Sequence, residues 1–155
     1  MIRRLEEQDI DCVMAIWLTS NIQAHSFIPK EYWQENFEAV RKILPQAEVF
    51  VYEAEKRILG FIGLSGNYIE GIFVDEAVRS QGIGKQLLDY VKQEHQELYL
   101  QVYVENERAE SFYKREGFLV ETEERETETG AIERRMLWRS VERQGRSSNG
   151  DTGAL

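Results

Sequence analysis

The sequence predicts an α/β chain of the α+β kind, with its elements in the order βααβββαβαββ. Three observations carry that prediction. Residues 69–74 form a short apolar, β-rich run that passes through a glycine-bearing turn into Ile83, Leu87, Leu88 and Val91 at helical spacing. Residues 100–118 repeat the theme. An apolar run ends at Val104, Asn106 follows, Ala109, Phe112 and Tyr113 fall on one helix face, and Gly117 closes the helix. Two further β-rich runs, Glu48–Ala54 and residues 58–65, stand before the first block with turn residues between them.

Taken in order, residues 2–5 form a short first strand. Asp9 or Asp11 caps a helix running to about residue 20, with Val13, Ile16 and Trp17 turned inward. Cys12 falls within that pattern and reads as a small buried thiol. Residues 21–29, Asn-Ile-Gln-Ala-His-Ser-Phe-Ile-Pro, break the helical pattern. Residues 30–44 resume it, and Pro45 ends it. A charged turn at Glu55-Lys56 joins the next two strands, and Gly66-Asn67 leads into Tyr68–Val74. The glycine turn and its helix come next, followed by a strand over 98–104. Asn106 is a good N-cap for the next helix, and Gly117 suits a left-handed position at its end. Residues 118–126 and 131–138 close the chain as a hairpin around Thr129-Gly130. Residues 1–139 make one domain, and 140–155 read as a flexible polar tail.

Composition narrows the function classes. A chain of 155 residues with 42% hydrophobic content can bury a real core in one domain. A net charge of −9 opposes binding to nucleic acid or to an anionic membrane, both of which need a basic face. It suits a cationic amine. No apolar run is long enough to span a bilayer, and the N-terminus lacks an apolar secretory core. The single cysteine fits a reducing cytoplasm. The two histidines, 25 and 95, form no ligand spacing, so no metal is expected.

A strand that enters a glycine turn and opens a helix aims free backbone N–H groups at one spot, where the helix dipole favours an anion. Two phosphate loops are excluded by spacing. A P-loop needs glycine where Arg79 stands, and Ser or Thr where Gln86 stands. A dinucleotide fingerprint needs a small residue where Leu87 stands. What remains, Arg79-Ser80-Gln81-Gly82-Ile83-Gly84, resembles the acyl-CoA pyrophosphate loop of the GNAT acetyltransferase superfamily. Residues 100–118, with Asn106, Ala109, Phe112-Tyr113 and Gly117-Phe118 in order, resemble the second half of the same core. The two blocks cover roughly residues 68–120.

That resemblance implies a mixed, mostly antiparallel sheet of about seven strands with helices on both faces. It implies acetyl transfer from acetyl-CoA to a primary amine, on a protein lysine or N-terminus or on a small metabolite. Arg79, Gln81, Gly82, Ile83, Gly84 and Lys85 would hold the pyrophosphate. Backbone groups of Phe73 and Val74 would hold the pantetheine amides, and Asn106 would join the cofactor site. Tyr113 resembles the family's general acid. The base has two readings. Many relatives carry Glu five residues before the motif Asn, where this chain has Gln101, which cannot accept the proton. The alternative is Glu70, a carboxylate within an apolar strand. His25, Phe27, Tyr32 and Tyr103 would form the substrate pocket. Two other readings stay open: transfer of another acyl group, such as succinyl or propionyl, and a non-catalytic acyl-CoA-binding domain. The resemblance is compatible with a monomer or a homodimer.

Overall fold

A computed structural model describes residues 1–140; the rest of the expected tail, 141–155, lies outside the described residues. The strands are β1 (Ile2–Arg4), β2 (Glu48–Ala54), β3 (Arg57–Ser65), β4 (Tyr68–Val74), β5 (Glu97–Tyr103), β6 (Leu119–Arg125) and β7 (Ile132–Arg139). The helices are α1 (Ile10–Ala24), α2 (Lys30–Ile43), α3 (Ile83–Lys92) and α4 (Glu107–Arg115). The element order is the predicted one. The strands form one sheet in the order β1-β2-β3-β4-β5-β7-β6. Every pair is antiparallel except β4 and β5.

Helices cover both faces. One core packs α3 and α4 against the sheet through Ile83, Leu87, Leu88, Val91 and Tyr113 on the helices and Ile62, Leu98, Leu100 and Val102 on the strands. The other packs α1 against Val49, Val51 and Phe61 through Val13, Met14 and Ile16. Burial of these side chains is the main force holding the layers together. Among the described residues no helix is long and apolar enough to cross a membrane.

Three local outcomes differ from the sequence reading. Helix α1 runs through Asn21 to Ala24 because the Asn21 amide is buried and donates to the Trp17 carbonyl at 2.9 Å. An asparagine that back-bonds one turn earlier breaks no helix. Asp9 sits at the start of α1 but does not cap it. Its carboxylate takes a two-pronged ion pair from Arg3, at 2.7 and 3.0 Å, and the Glu6 N–H at 2.8 Å. Cys12 is exposed rather than buried, at the edge of the stripe made by Val13 and Ile16, with its thiol 3.9 Å from the Ile58 carbonyl of β3.

The geometry near the site depends on close backbone approach. A Cβ at Gly60 of β3 would lie 2.8 Å from the Phe73 carbonyl oxygen and 3.2 Å from Ile83. Glycine there lets β3, β4 and the start of α3 meet. Gly60→Ala should therefore lower stability by about 1–3 kcal/mol, the usual scale for overpacking. Urea unfolding of the two proteins checks this.

Candidate functional site

The loop into α3 is built on unusual backbone. Ser80 has φ +72° and Gly82 has φ +84°, so two left-handed residues turn the chain into the helix. For Ser80 that conformation is strained, and strain of this kind collects at ligand-binding loops. Gly82 is the N-cap and has no side chain to cap with. The first helical bond runs from the Gln86 N–H to the Gly82 carbonyl at 3.0 Å. The N–H groups of Ile83, Gly84 and Lys85 belong to the uncapped first turn, where a helix has no internal acceptors. A Cβ at Gly82 would meet nothing within 4 Å, so its surroundings are open. A Cβ at Gly84 would touch Phe112, Val74 and Ile72 at 3.7–3.9 Å, so that position faces the core.

The charges around the loop are arranged unevenly. Arg79 donates to the Gln23 side chain of α1 at 3.2 Å, and Gln23 also bonds Glu76. Lys85 is held by Glu116 at 3.1 Å and Asp89 at 3.3 Å, which directs it toward the outer side of α3. Arg108, in the first turn of α4, donates to the Ser80 hydroxyl at 3.0 Å. It is a second guanidinium on the loop that the motif did not reveal. Exposed Gln81 completes the turn.

Strands β4 and β5 part almost as soon as they meet. They share a single register pair, Tyr68 with Tyr99, supported by the Tyr99 N–H on the Asn67 carbonyl at 3.0 Å. Beyond it no register pair joins β4 to β5 as far as Val74, which leaves an opening in the sheet. The Asp75 N–H bonds the Leu59 carbonyl on β3 at 2.8 Å. Backbone groups alternate along a strand, so those of Val74 and Ile72 point to the opening and those of Phe73 to β3. Glu70 occupies a bulge between the Gly63–Gly71 and Leu64–Ile69 pairs. Its carboxylate is exposed and accepts from Ser65 at 2.9 Å.

Tyr113 approaches from α4. It is 8% exposed and packs edge-on against Phe112 and Phe118. Burial pushes its phenol pKa up, and the Tyr68 phenol adds to the shift. Among the described residues no side chain or backbone group bonds its hydroxyl, whose oxygen is not closed off from solvent. Tyr68, which donates to the Gln101 side chain at 3.1 Å, has its pKa pushed up to about 12 by burial and by Glu70.

The other face of the sheet carries an aromatic and acidic wall. Leu98, Leu100 and Val102 turn toward α3 and α4, so Gln101 and Tyr103 turn away from them. The antiparallel register places Arg135 opposite Gln101 and Glu133 opposite Tyr103. The Tyr103 hydroxyl donates to Glu126 at 2.7 Å, and the Tyr32 hydroxyl to Glu128 at 2.9 Å. Burial, helped by these carboxylates, raises both phenol pKa values. His25 is buried, edge-on to Tyr103 and Phe27 and tilted over Trp33. Burial lowers its pKa to about 4, so it is neutral near pH 7. The Asn106 amide lies 3.1 Å from His25 Nε2 while its oxygen accepts the Ala109 N–H at 3.3 Å. Asn106 thus pins α4 to the segment after α1.

The structure brings Tyr32, Tyr103 and Phe27 to one wall, with His25 behind them as packing. It puts Gly82, Ile83 and Gly84 on one turn and sets Lys85 aside. It adds Arg108, Tyr68 and Glu133, whose positions depend on register and helix contacts that no local spacing reveals. A separate groove of about 900 Å³, lined by Leu5, Ile10, Arg41, Lys42 and Leu44, lies beside α1, α2 and β2 at the other end of the sheet.

Comparison with known proteins agrees with this fold. A model of the acetyltransferase (GNAT) domain family matches residues 11–138. The chain is 35% identical over 120 residues to the peptidyl-lysine N-acetyltransferase YiaC of Escherichia coli strain K12, covering 76% of this chain and 82% of that protein. It is 36% identical over 120 residues to the peptidyl-lysine N-acetyltransferase YjaB of the same strain, covering 77% and 82%. The solution structure of apo YjaB from Escherichia coli matches with a TM-score of 0.80 at 30% identity, over 89% of this chain and 96% of that one.

An unbonded hydroxyl contributes no hydrogen bond to the fold. Tyr113→Phe should therefore change stability by less than about 0.5 kcal/mol, since no partner is left stranded. Thermal or urea unfolding measures this, and a larger loss would reveal a partner for the hydroxyl.

Proposed function

The chain belongs to the GNAT acetyltransferase family and is an acyltransferase, and we propose that it moves an acetyl group from acetyl-CoA directly to the primary amine of a protein lysine in a ternary complex. The observation that carries this reading is the parted β4–β5 seam with the unpaired Tyr113 hydroxyl behind it. The names of the curated relatives support the lysine acceptor. The net charge of −9 and the acidic wall support a cationic one.

Each part of the donor has residues suited to it. The N–H groups of Ile83, Gly84 and Lys85 and the open turn at Gln81–Gly82 suit the diphosphate, with Arg79 and Arg108 supplying charge. The outward backbone groups of Ile72 and Val74 suit the amides of the pantetheine arm, which would lie in the seam as an extra strand. An N–H there also suits the thioester oxygen as its charge develops.

Chemistry then needs two proton movements. The amine must lose a proton before it attacks, and the departing thiolate must gain one. Tyr113 would donate to the thiolate. Its raised pKa keeps the phenol protonated, so it is always a donor. A thiolate in the same desolvated place also has a raised pKa, which narrows the gap between the two groups. Glu70, exposed at the rim of the seam, is the carboxylate that the resemblance nominates for the amine's proton.

The direct test incubates the protein with acetyl-CoA and lysine-containing peptides and reads acetylated product by mass spectrometry. Turnover on lysine supports the proposal. Product on an α-amine or a small metabolite only would replace the acceptor, and product only with succinyl- or propionyl-CoA would replace the donor. Binding of CoA with no turnover across a broad panel would overturn it in favour of a binding domain. Tyr113→Phe should lower kcat about ten- to a thousandfold with CoA affinity unchanged. Gly82→Asp should weaken CoA binding by at least about tenfold in calorimetry, because a carboxylate would stand where the diphosphate is held.

A further inference from the structure

Among the described residues of the closing hairpin and the strand beside it, Glu133 of β7 and Glu124 of β6 are the carboxylates without a side-chain partner, and Glu124 is exposed. Glu121 and Glu123 are paired with Arg135 and Arg134, and Glu97 with Arg139. Glu126 accepts from Tyr103 and Thr129, and Glu128 from Tyr32. Glu133 is half-buried, and among the described residues its carboxylate has neither a hydrogen bond nor an ion pair. A partly desolvated, unpaired carboxylate is costly, and the structure raises that cost further. Register sets Glu124 of β6 directly across from Glu133, a like-charge pair that disfavours the ladder.

Its position gives the cost a use. Glu133 lies opposite Tyr103 on β5, and Gln101 is the diagonal neighbour on the same face, about 7–8 Å away by strand geometry. Gln101 holds the Tyr68 hydroxyl, and Tyr68 is the last residue at which β4 and β5 pair. Glu133 therefore sits beside the mouth of the seam on the face away from α3 and α4, flanked by tyrosines. Glu70 lacks these features: it is exposed and already bonded to Ser65.

Resting on the acetyl-transfer reading, we propose that Glu133 receives the acceptor lysine as its ammonium ion and takes its proton. One proton passes from the ammonium to the Glu133 carboxylate. The free amine attacks the thioester carbon, the C–N bond forms, and the C–S bond breaks. The thiolate takes the Tyr113 proton, the surplus N–H proton restores Tyr113 through solvent, and Glu133 returns its proton to bulk water. The net release is one proton per acetyl group transferred. Tyr68, Tyr103 and Tyr32 give the alkylammonium an aromatic, hydrogen-bonding surround.

The electrostatics agree with this role. Burial, then Glu126 and Glu124, raise the Glu133 pKa to about 7, where a general base works best near neutral pH. The groups facing it are Glu124 and Glu126 from the β6 side, Tyr103 from β5, Tyr68 from β4 and Tyr32 from α2. Arg134 points to the opposite face and pairs with Glu110 and Glu123, and Arg135, the next cation on the same face of β7, is held by Glu121 and lies 4.3 Å from the Tyr99 ring centroid.

The test is the pH profile of kcat/KM with acetyl-CoA and a lysine peptide. The base works deprotonated, so the parent should rise with pH to about 7 and then level. Glu133→Gln should fall about ten- to a thousandfold at pH 6.5–7 and keep rising through pH 9, as free amine accumulates toward its own pKa of about 10.4. Glu133→Asp should restore the break near 7 at reduced rate, and Glu38→Gln, in the separate groove beside α1 and α2, should follow the parent. CoA affinity should be unchanged throughout, which also verifies that the variants are folded. A parental profile in Glu133→Gln, or loss of the break in Glu70→Gln instead, overturns the assignment while leaving acetyl transfer intact. A parent that binds CoA without acetylating any acceptor overturns the transfer reading and this role with it.

Discussion

The architecture turns on one pairing that stops short. β4 and β5 are the only parallel neighbours in the described sheet, and they touch at one rung, Tyr68 with Tyr99. A full ladder there would satisfy the backbone of both strands and close the sheet. Its absence leaves outward N–H and C=O groups at Ile72 and Val74, and such groups need a partner when they are not in water. The rest of the fold keeps the gap open. Gly60 lets β3 draw β4 toward α3, α3 and α4 pack one face, and β7 holds β5 from its far side through seven register pairs.

The same constraint divides the chemistry between two faces. The helix face of the seam carries the glycine turn at the start of α3, with its uncapped N–H groups, and Tyr113. The opposite face carries Tyr103, Tyr32 and the hairpin carboxylates. On the proposed reading, a donor and an acceptor would approach a common point from these two faces without crossing, as direct transfer needs. Asn106 links the two sides. It caps α4 and reaches buried His25, so the helix bearing Tyr113 and the segment bearing His25 and Phe27 are fixed to each other.

Much of this was legible because it is local. Gly82 and Gly117 needed positive φ, Asn106 needed to cap, and Glu55-Lys56 needed a tight turn; each follows from a few neighbouring residues, and the structure gives φ +84°, φ +98°, a 3.3 Å cap and two left-handed residues. What depends on register was not legible. Glu133 meets Tyr103 only because β7 pairs with β5 in one alignment, and Arg108 meets Ser80 only because α4 crosses near the loop. The contact of the Lys85 side chain with Glu116, 31 residues away, was likewise out of reach of local spacing. Asn21 read as a breaker by type, yet its burial let it bond the preceding turn.

The central claim is that the seam takes an extended ligand as a substitute strand. Amide hydrogen exchange along β4, read residue by residue with and without CoA, tests it most directly. The account predicts that the Ile72 and Val74 amides slow markedly when CoA is bound, while Phe73, already facing β3, hardly changes. Unchanged exchange at Ile72 and Val74 with CoA demonstrably bound would contradict it.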